Sequence, residues 1–221
     1  ALIAAILVVR SASPARATGS VGEVFREGLD YAWQTWSVRT LILALIALNL
    51  TASAYAVLLP VFAADVFAGD ATTLGWLWGA AGCGAFVSTV FLATRHSVPG
   101  LVRSVTAGTA IAAVSLLLFA ATDWLPLAML AMVGVGFGIS VCNVGINMIL
   151  QSTAPEQFRG RIVSFFTSAR FGFDALGGLL AGFIAAGFGA GHTLLVEGAV
   201  LLVFVAFLLS RRQRLAEQVS I

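Results

Sequence analysis

Six long apolar runs separated by short polar segments give the chain its pattern: Leu41–Phe62, Leu74–Thr94, Val102–Thr122, Pro126–Leu150, Val163–Phe188 and Leu194–Leu209. A helix that crosses a bilayer needs about 20 mainly apolar residues, fewer or more with tilt, so the pattern predicts six membrane-spanning helices. A further apolar stretch, Ala1–Val9, is too short to cross and reads as the end of another helix leaving the membrane. Followed by Ser11–Ala17 (SASPARA), it also resembles a signal peptide with an Ala-x-Ala site. No basic region leads it and Arg10 follows it at once, which favours the helix-end reading. The organisation expected is a stub over 1–9, a linker with an amphipathic helix over 10–40, a six-helix bundle over 41–209 and a tail over 210–221. Proline agrees: Pro14, Pro99 and Pro155 fall in connections, Pro126 in a first helical turn, and only Pro60 inside a span.

Composition turns this pattern into a fold class. Apolar residues make up 60% of the chain and charged residues 10%, with mean hydropathy +1.01. A soluble domain is about a quarter charged. No globular interior of this size could hide so much apolar surface, so much of it must face lipid. A soluble enzyme, a nucleic-acid binder and a disordered tail are excluded as classes, and the fold expected is an all-α membrane protein. The lipid bilayer is its first partner.

Charge then orients the bundle. Every cationic residue is arginine, and all but Arg170 fall in alternate connections, at the helix end just after one of them (Arg103), or in the tail. Those connections lie on one side of the membrane, and the excess of positive charge predicts that this side, with the C-terminus, is cytoplasmic. The opposite connections hold Asp65, Asp70, Asp123 and His192. Trp33, Trp36, Trp76, Trp78 and Trp124 all fall near predicted headgroup levels, where an indole is favoured.

Few residues carry chemistry. Cys83 and Cys142 are far apart and mid-span, His96 and His192 lie at opposite faces, and no HExxH, GxSxG or phosphate-cradling loop occurs, so neither a metal site, a cofactor nor a catalytic group is expected. Glycine clusters at Gly75–Gly84, Gly134–Gly138 and Gly177–Gly182, which suits close helix packing. Asn143, Asn147 and Gln151 repeat at a spacing of four, as do Asn49 and Ser53, with Thr51 and Tyr55 nearby. Such stripes must face protein or a watery cavity, and interhelical hydrogen bonds and substrate contact explain them equally well. The strongest signal is Arg170 with Asp174. At about 1.5 Å per residue they lie roughly 13 and 20 Å beyond Arg161, which puts Asp174 near the bilayer middle. An ionisable residue there is a functional candidate by default, and the i,i+4 spacing also permits a structural pair. Glu197 lies closer to the far boundary, within expected reach of the interface.

The segment Thr153–Ser164 (TAPEQFRGRIVS), followed by Gly172–Gly189 (GFDALGGLLAGFIAAGFG), resembles the loop between helices ten and eleven of a major facilitator superfamily transporter. The matching residues are Pro155, Glu156, Arg159, Gly160 and Arg161, followed by the small-residue stretch Gly177–Gly182. Arg26–Ile42 is similar to the amphipathic piece ahead of helix seven in the bacterial enterobactin-exporter and macrolide-efflux-like branch. The loop Ala93–Arg103 departs from the family signature, keeping Arg95, Gly100 and Arg103 but no acidic residue.

The resemblance implies the end of helix six and helices seven to twelve, built as two inverted three-helix repeats, with an N-terminal six-helix half as partner. It also implies an alternating-access, proton-coupled exporter of an unidentified small molecule in a bacterial cytoplasmic membrane. Helices seven, eight, ten and eleven would line the cavity. Asp174 and Arg170 are then candidates for proton coupling, and Asn49, Ser53, Tyr55, Asn143 and Asn147 for substrate contact. A non-transporting membrane scaffold, with these polar groups purely structural, is the alternative.

Overall fold

The computed structural model describes residues 30, 33–52, 54–95 and 97–219, so the stub 1–9, most of the 10–40 linker, Ser53 and His96 lie outside the described residues. The elements are α1 (Trp36–Ala52), α2 (Ala54–Val61), a π-helical turn (Phe62–Val66), α3 (Ala71–Ala93), α4 (Val98–Ala121), α5 (Leu125–Thr153), α6 (Glu156–Phe188) and α7 (Ala190–Val219). Together α1, α2 and the π turn form the first of six helical segments long and apolar enough to cross a membrane, and α3 to α7 form the others. The chain is an all-α, multi-pass membrane protein.

Helices outrun the apolar runs that predict them. Hydropathy marks where a helix meets hydrocarbon, whereas the backbone ladder continues through polar residues that tolerate a helix. The polar segment Gln151–Ile162 therefore narrows to Ala154 and Pro155 between α5 and α6. Gly189 alone joins α6 to α7, at φ +83°, a conformation that glycine adopts without a Cβ penalty. The predicted tail from 210 is helical as far as Val219.

Pro60 disturbs the first span as its missing N–H requires. One turn later the ladder widens, with Phe67 N–H donating to Phe62 O at 3.0 Å and Gly69 N–H to Ala63 O at 2.8 Å. Ala68 closes this end at φ 47°. Asp70 then caps α3, its carboxylate accepting from the N–H groups of Thr72 (2.9 Å) and Thr73 (3.2 Å). These amides, Thr73 first, hold the Asp70 carboxyl below the usual carboxylate range.

Packing centres on α5, which lies between α3 and α4; α7 packs on α4 and α1, and α6 on α1 and α2. Glycines bring backbones together here. A Cβ on Gly84 would overlap the Val133 carbonyl, one on Gly136 the Ala81 carbonyl, and one on Gly138 would meet Gly108 O at 2.5 Å. The buried side chains fall in three layers. Leu41, Leu101, Leu150 and Ile162 lie toward the arginine-rich side, Leu48, Ala113 and Leu201 in the middle, and Phe62, Phe119, Met132 and Leu194 toward the other. Phe62 and Phe119 stack there with ring centroids 4.8 Å apart. Large apolar residues such as Phe86, Phe183 and Val203 point outward, as lipid allows.

Glu197 departs from expectation. It is 8% exposed and belongs to the buried stripe Leu194, Glu197, Leu201, Val205 and Leu208, whose spacing of three and four turns it into the bundle rather than toward the interface.

Two outcomes follow from the packing and the cap. Gly84→Ala and Gly136→Ala should each destabilise the purified protein by about 1–3 kcal/mol, read as a lower unfolding temperature in detergent. Gly79→Ala, where a Cβ meets nothing within 4 Å, should not lower that temperature. For the cap, the depressed folded-state pKa means stabilisation present above the ordinary carboxylate value and lost as pH falls through the folded value. Hydrogen-exchange protection at Thr72 and Thr73 should therefore weaken below about pH 4 and be weak throughout in Asp70→Ala.

Candidate functional site

Two concave regions flank α2. The first, of about 210 Å³, is lined by Tyr55 from α2, by Trp78, Ala81, Gly82 and Ala85 from α3, and by Gly136, Ile139 and Ser140 from α5. The Tyr55 and Trp78 rings meet at 5.8 Å with their planes tilted by 52°. Small residues from α3 and α5 leave the room that this aromatic pair fills. Flat apolar groups stack well on such a surface, and the Tyr55 and Ser140 hydroxyls add polar handles.

The second region, of about 610 Å³, lies between α2 and α6 and includes Ala56, Val57, Asp174, Gly178, Gly182 and Phe183. Asp174, Gly178 and Gly182 follow each other at a spacing of four, so one face of α6 carries a carboxyl at one end and bare backbone beyond it. Gly177, beside that face, lies against the Leu50 carbonyl of α1. Asp174 is exposed, lies near the middle of the apolar segment Phe158–Phe188, and acts electrostatically on Tyr55. Tyr55 thereby links the two regions. The Arg170 guanidinium, half-buried, lies over the Phe171 ring, 5.0 Å from its centroid. Arg170 is thus placed by a cation–π contact on its own helix.

The other polar candidates separate into two groups. Asn49 and Asn143 are buried, and Asn49 Nδ2 donates both to Leu45 O at 2.8 Å and to Asn143 Oδ1 at 3.2 Å. This bond ties α1 to α5 behind the grooves. Asn147 is half-buried and accepts from Gln151 Nε2 at 2.9 Å, nearer the arginine-rich end of α5. Ser53 lies outside the described residues.

The loop motif lies at the other end of α6, roughly 20 Å from Asp174 along the axis from Arg161. Pro155 precedes the helix, its carbonyl accepting from the Phe158 and Arg159 amides at 2.9 and 3.1 Å. Glu156 occupies the first turn, where a negative charge favours the helix N-terminus. Arg159 and Gly160 are exposed, and Arg161 lies 5.4 Å from the Phe158 ring centroid.

Trp78 and Ser140 join the site without having been singled out by sequence. Trp78 reads as an interfacial residue because it sits close to the start of an apolar run, yet it lies about 10 Å into α3. Ser140 continues the Asn143–Asn147 stripe at a spacing of three, a periodicity that could have drawn attention to it. Among the described residues no group of three metal-binding side chains comes together.

Residues 1–220 match the family described as transmembrane secretion effector. Over 192 residues the chain is 30% identical to the multidrug efflux pump Tap of Mycolicibacterium fortuitum, covering 86% of this chain. The chain spans about half the length of that relative, 46% of it. No solved structure matches.

The Asn49–Asn143 bond yields a direct expectation. Asn49→Ala and Asn143→Ala should each lower stability in detergent, and the double variant should be less destabilised than the sum by about 0.6–1.7 kcal/mol, the range for hydrogen bonds between membrane helices.

Proposed function

Because this chain belongs to the transmembrane secretion effector family, of the major facilitator type, we propose that it forms the C-terminal six-helix part of a proton-coupled exporter of small molecules. In this reading it works by alternating access against an N-terminal six-helix part, in a bacterial cytoplasmic membrane, with its arginine-rich side and C-terminus in the cytoplasm. The efflux role draws on the relative described as a multidrug efflux pump.

The observation that carries the reading is Asp174. A carboxyl at mid-span is retained at a cost, and here it borders an open groove. Proton uptake neutralises it and proton release restores its charge, so its affinity for the groove's contents differs between the two states. Tyr55 and Trp78 supply the aromatic surface for an amphipathic substrate, with Asp174 a few residues away across α2. Arg170 keeps a positive charge one turn away on the same helix.

Burial supports the same arrangement. The segments of α6 and α3 are the least buried of the six, and both border the grooves. In a soluble bundle such faces would be a liability. Here they are the surfaces against which a second six-helix part would rock, consistent with a relative about twice as long.

In the complete transporter, Asp174→Asn should lower proton-driven efflux of a fluorescent amphipathic cation such as ethidium at least tenfold, measured in inverted vesicles with an imposed pH gradient. Trp78→Ala should raise the half-saturating concentration of the same probe several-fold with less effect on maximal rate. Undiminished efflux in Asp174→Asn overturns the proton role.

A further inference from the structure

Glu197 stands apart from both grooves. It lies seven residues into α7, about 10 Å from the start of that helix. Its side chain is enclosed at 8% exposure, between the fully buried Leu194 and Leu201. The next residue, Gly198, is pressed against α4: a Cβ there would come within 2.7 Å of Leu117 Cδ2. Oε2 of Glu197 is buried without a hydrogen-bond partner among the described residues.

Among the described residues nothing at this level supplies a counter-charge. Of the elements packed on α7, α1 carries only Arg39 and α4 only Arg103, both near the arginine-rich ends. Arg103 is roughly 21 Å along α4 from Leu117. The one titratable group of α2, Tyr55, meets Trp78 on α3. On α6, Asp174 borders the groove beside Val57, Arg170 lies over Phe171, and the remaining charges sit in the first two turns. On α7 itself His192 lines a surface groove with Ile184 and Phe188.

An ionised carboxylate sealed in such a place is strongly disfavoured, because it has lost water and gained neither a cation nor a full set of donors. A neutral carboxyl, with one proton of its own, fits the same space. We propose that Glu197 is a second proton-binding site, set in the seam between α7 and α4, whose proton exchanges only when that seam opens. Proton occupancy and helix packing are then two sides of one equilibrium: the proton favours the closed seam, and an open seam releases it to water. The inference rests on the membrane bundle itself and not on the role given to Asp174.

Carbodiimide labelling tests it in membrane vesicles carrying the protein, since these reagents modify carboxyls that hold a proton. Hydrophobic dicyclohexylcarbodiimide at pH 7 should label Glu197 at least tenfold more than the exposed Glu156, as mapped by mass spectrometry of the digest. A water-soluble carbodiimide should reverse that order, and Glu197→Gln should remove the α7 adduct. Leu117→Ala, which loosens the seam, should raise labelling of Glu197 by the water-soluble reagent at least fivefold. Labelling of Glu197 by the hydrophobic reagent no stronger than that of Glu156 overturns the site. Unchanged access in Leu117→Ala, with the protein still in the membrane, overturns the sealed seam. Asp174 is read from a separate peptide of the same digest, so its result bears on the groove alone.

Discussion

The near-contact of three helix backbones, α3 on α5 on α4, is the constraint from which the rest of this bundle follows. Between helices in lipid there is no water to expel, so association depends on close dispersion contact and on the few hydrogen bonds that cross the gap. Gly84, Gly136 and Gly138 allow that approach, and the nearest atoms a Cβ there would meet are backbone atoms that no rotamer change can move aside. With α5 held between α3 and α4, its other faces are fixed too. One of them offers Ser140 to the groove beside Tyr55, and another offers Asn143 to Asn49. A single packing solution thus sets both the wall of the site and the polar clamp behind it.

Polar groups in this bundle have two fates. Most hydroxyls are spent locally: Thr51, Thr106 and Thr109 donate to carbonyls of the preceding turn, which lets them sit in helices at little cost. Cys142 joins this group, with its sulfur 3.1 Å from Thr109 Oγ1 and 3.4 Å from Val105 O. The amides of Asn49 and Asn143 are spent on each other. Tyr55, Trp78, Ser140 and Asp174 are different, since they border space. That division follows helix order, with the bordering residues on the first, second, fourth and fifth spans.

The spans and the arginine sorting were legible because both are long-range regularities of composition, and lipid imposes them on every residue of a span. Helix ends were less so. Hydropathy stops at Leu150 and Leu209, but α5 runs to Thr153 and α7 to Val219, because hydrogen bonding along a helix is indifferent to what surrounds it. At the site, Asp174 was conspicuous as an isolated charge. Spacing placed Asn49 and Asn143 each on a stripe facing protein or a watery cavity, yet their pairing depends on how α1 crosses α5, which no local pattern encodes. Trp78 was concealed by its nearness to an interface. Glu197 was misplaced because depth along the helix was weighed and rotation about its axis was not: the heptad-like run from Leu194 to Leu208 already assigned it an inward position.

Gly177 gives α6 a fulcrum. It is the glycine of this helix whose Cα comes against another backbone, at Leu50 and Asn49 of α1. It divides α6 unequally, with about 31 Å of helix toward Glu156 and about 16 Å toward Phe188. Any tilt about that contact therefore moves the arginine-bearing end roughly twice as far as the end near Gly189. Asp174, one turn from the pivot, scarcely travels. The helix behaves as an unequal lever, with its carboxyl beside the bearing and its guanidinium groups on the long arm.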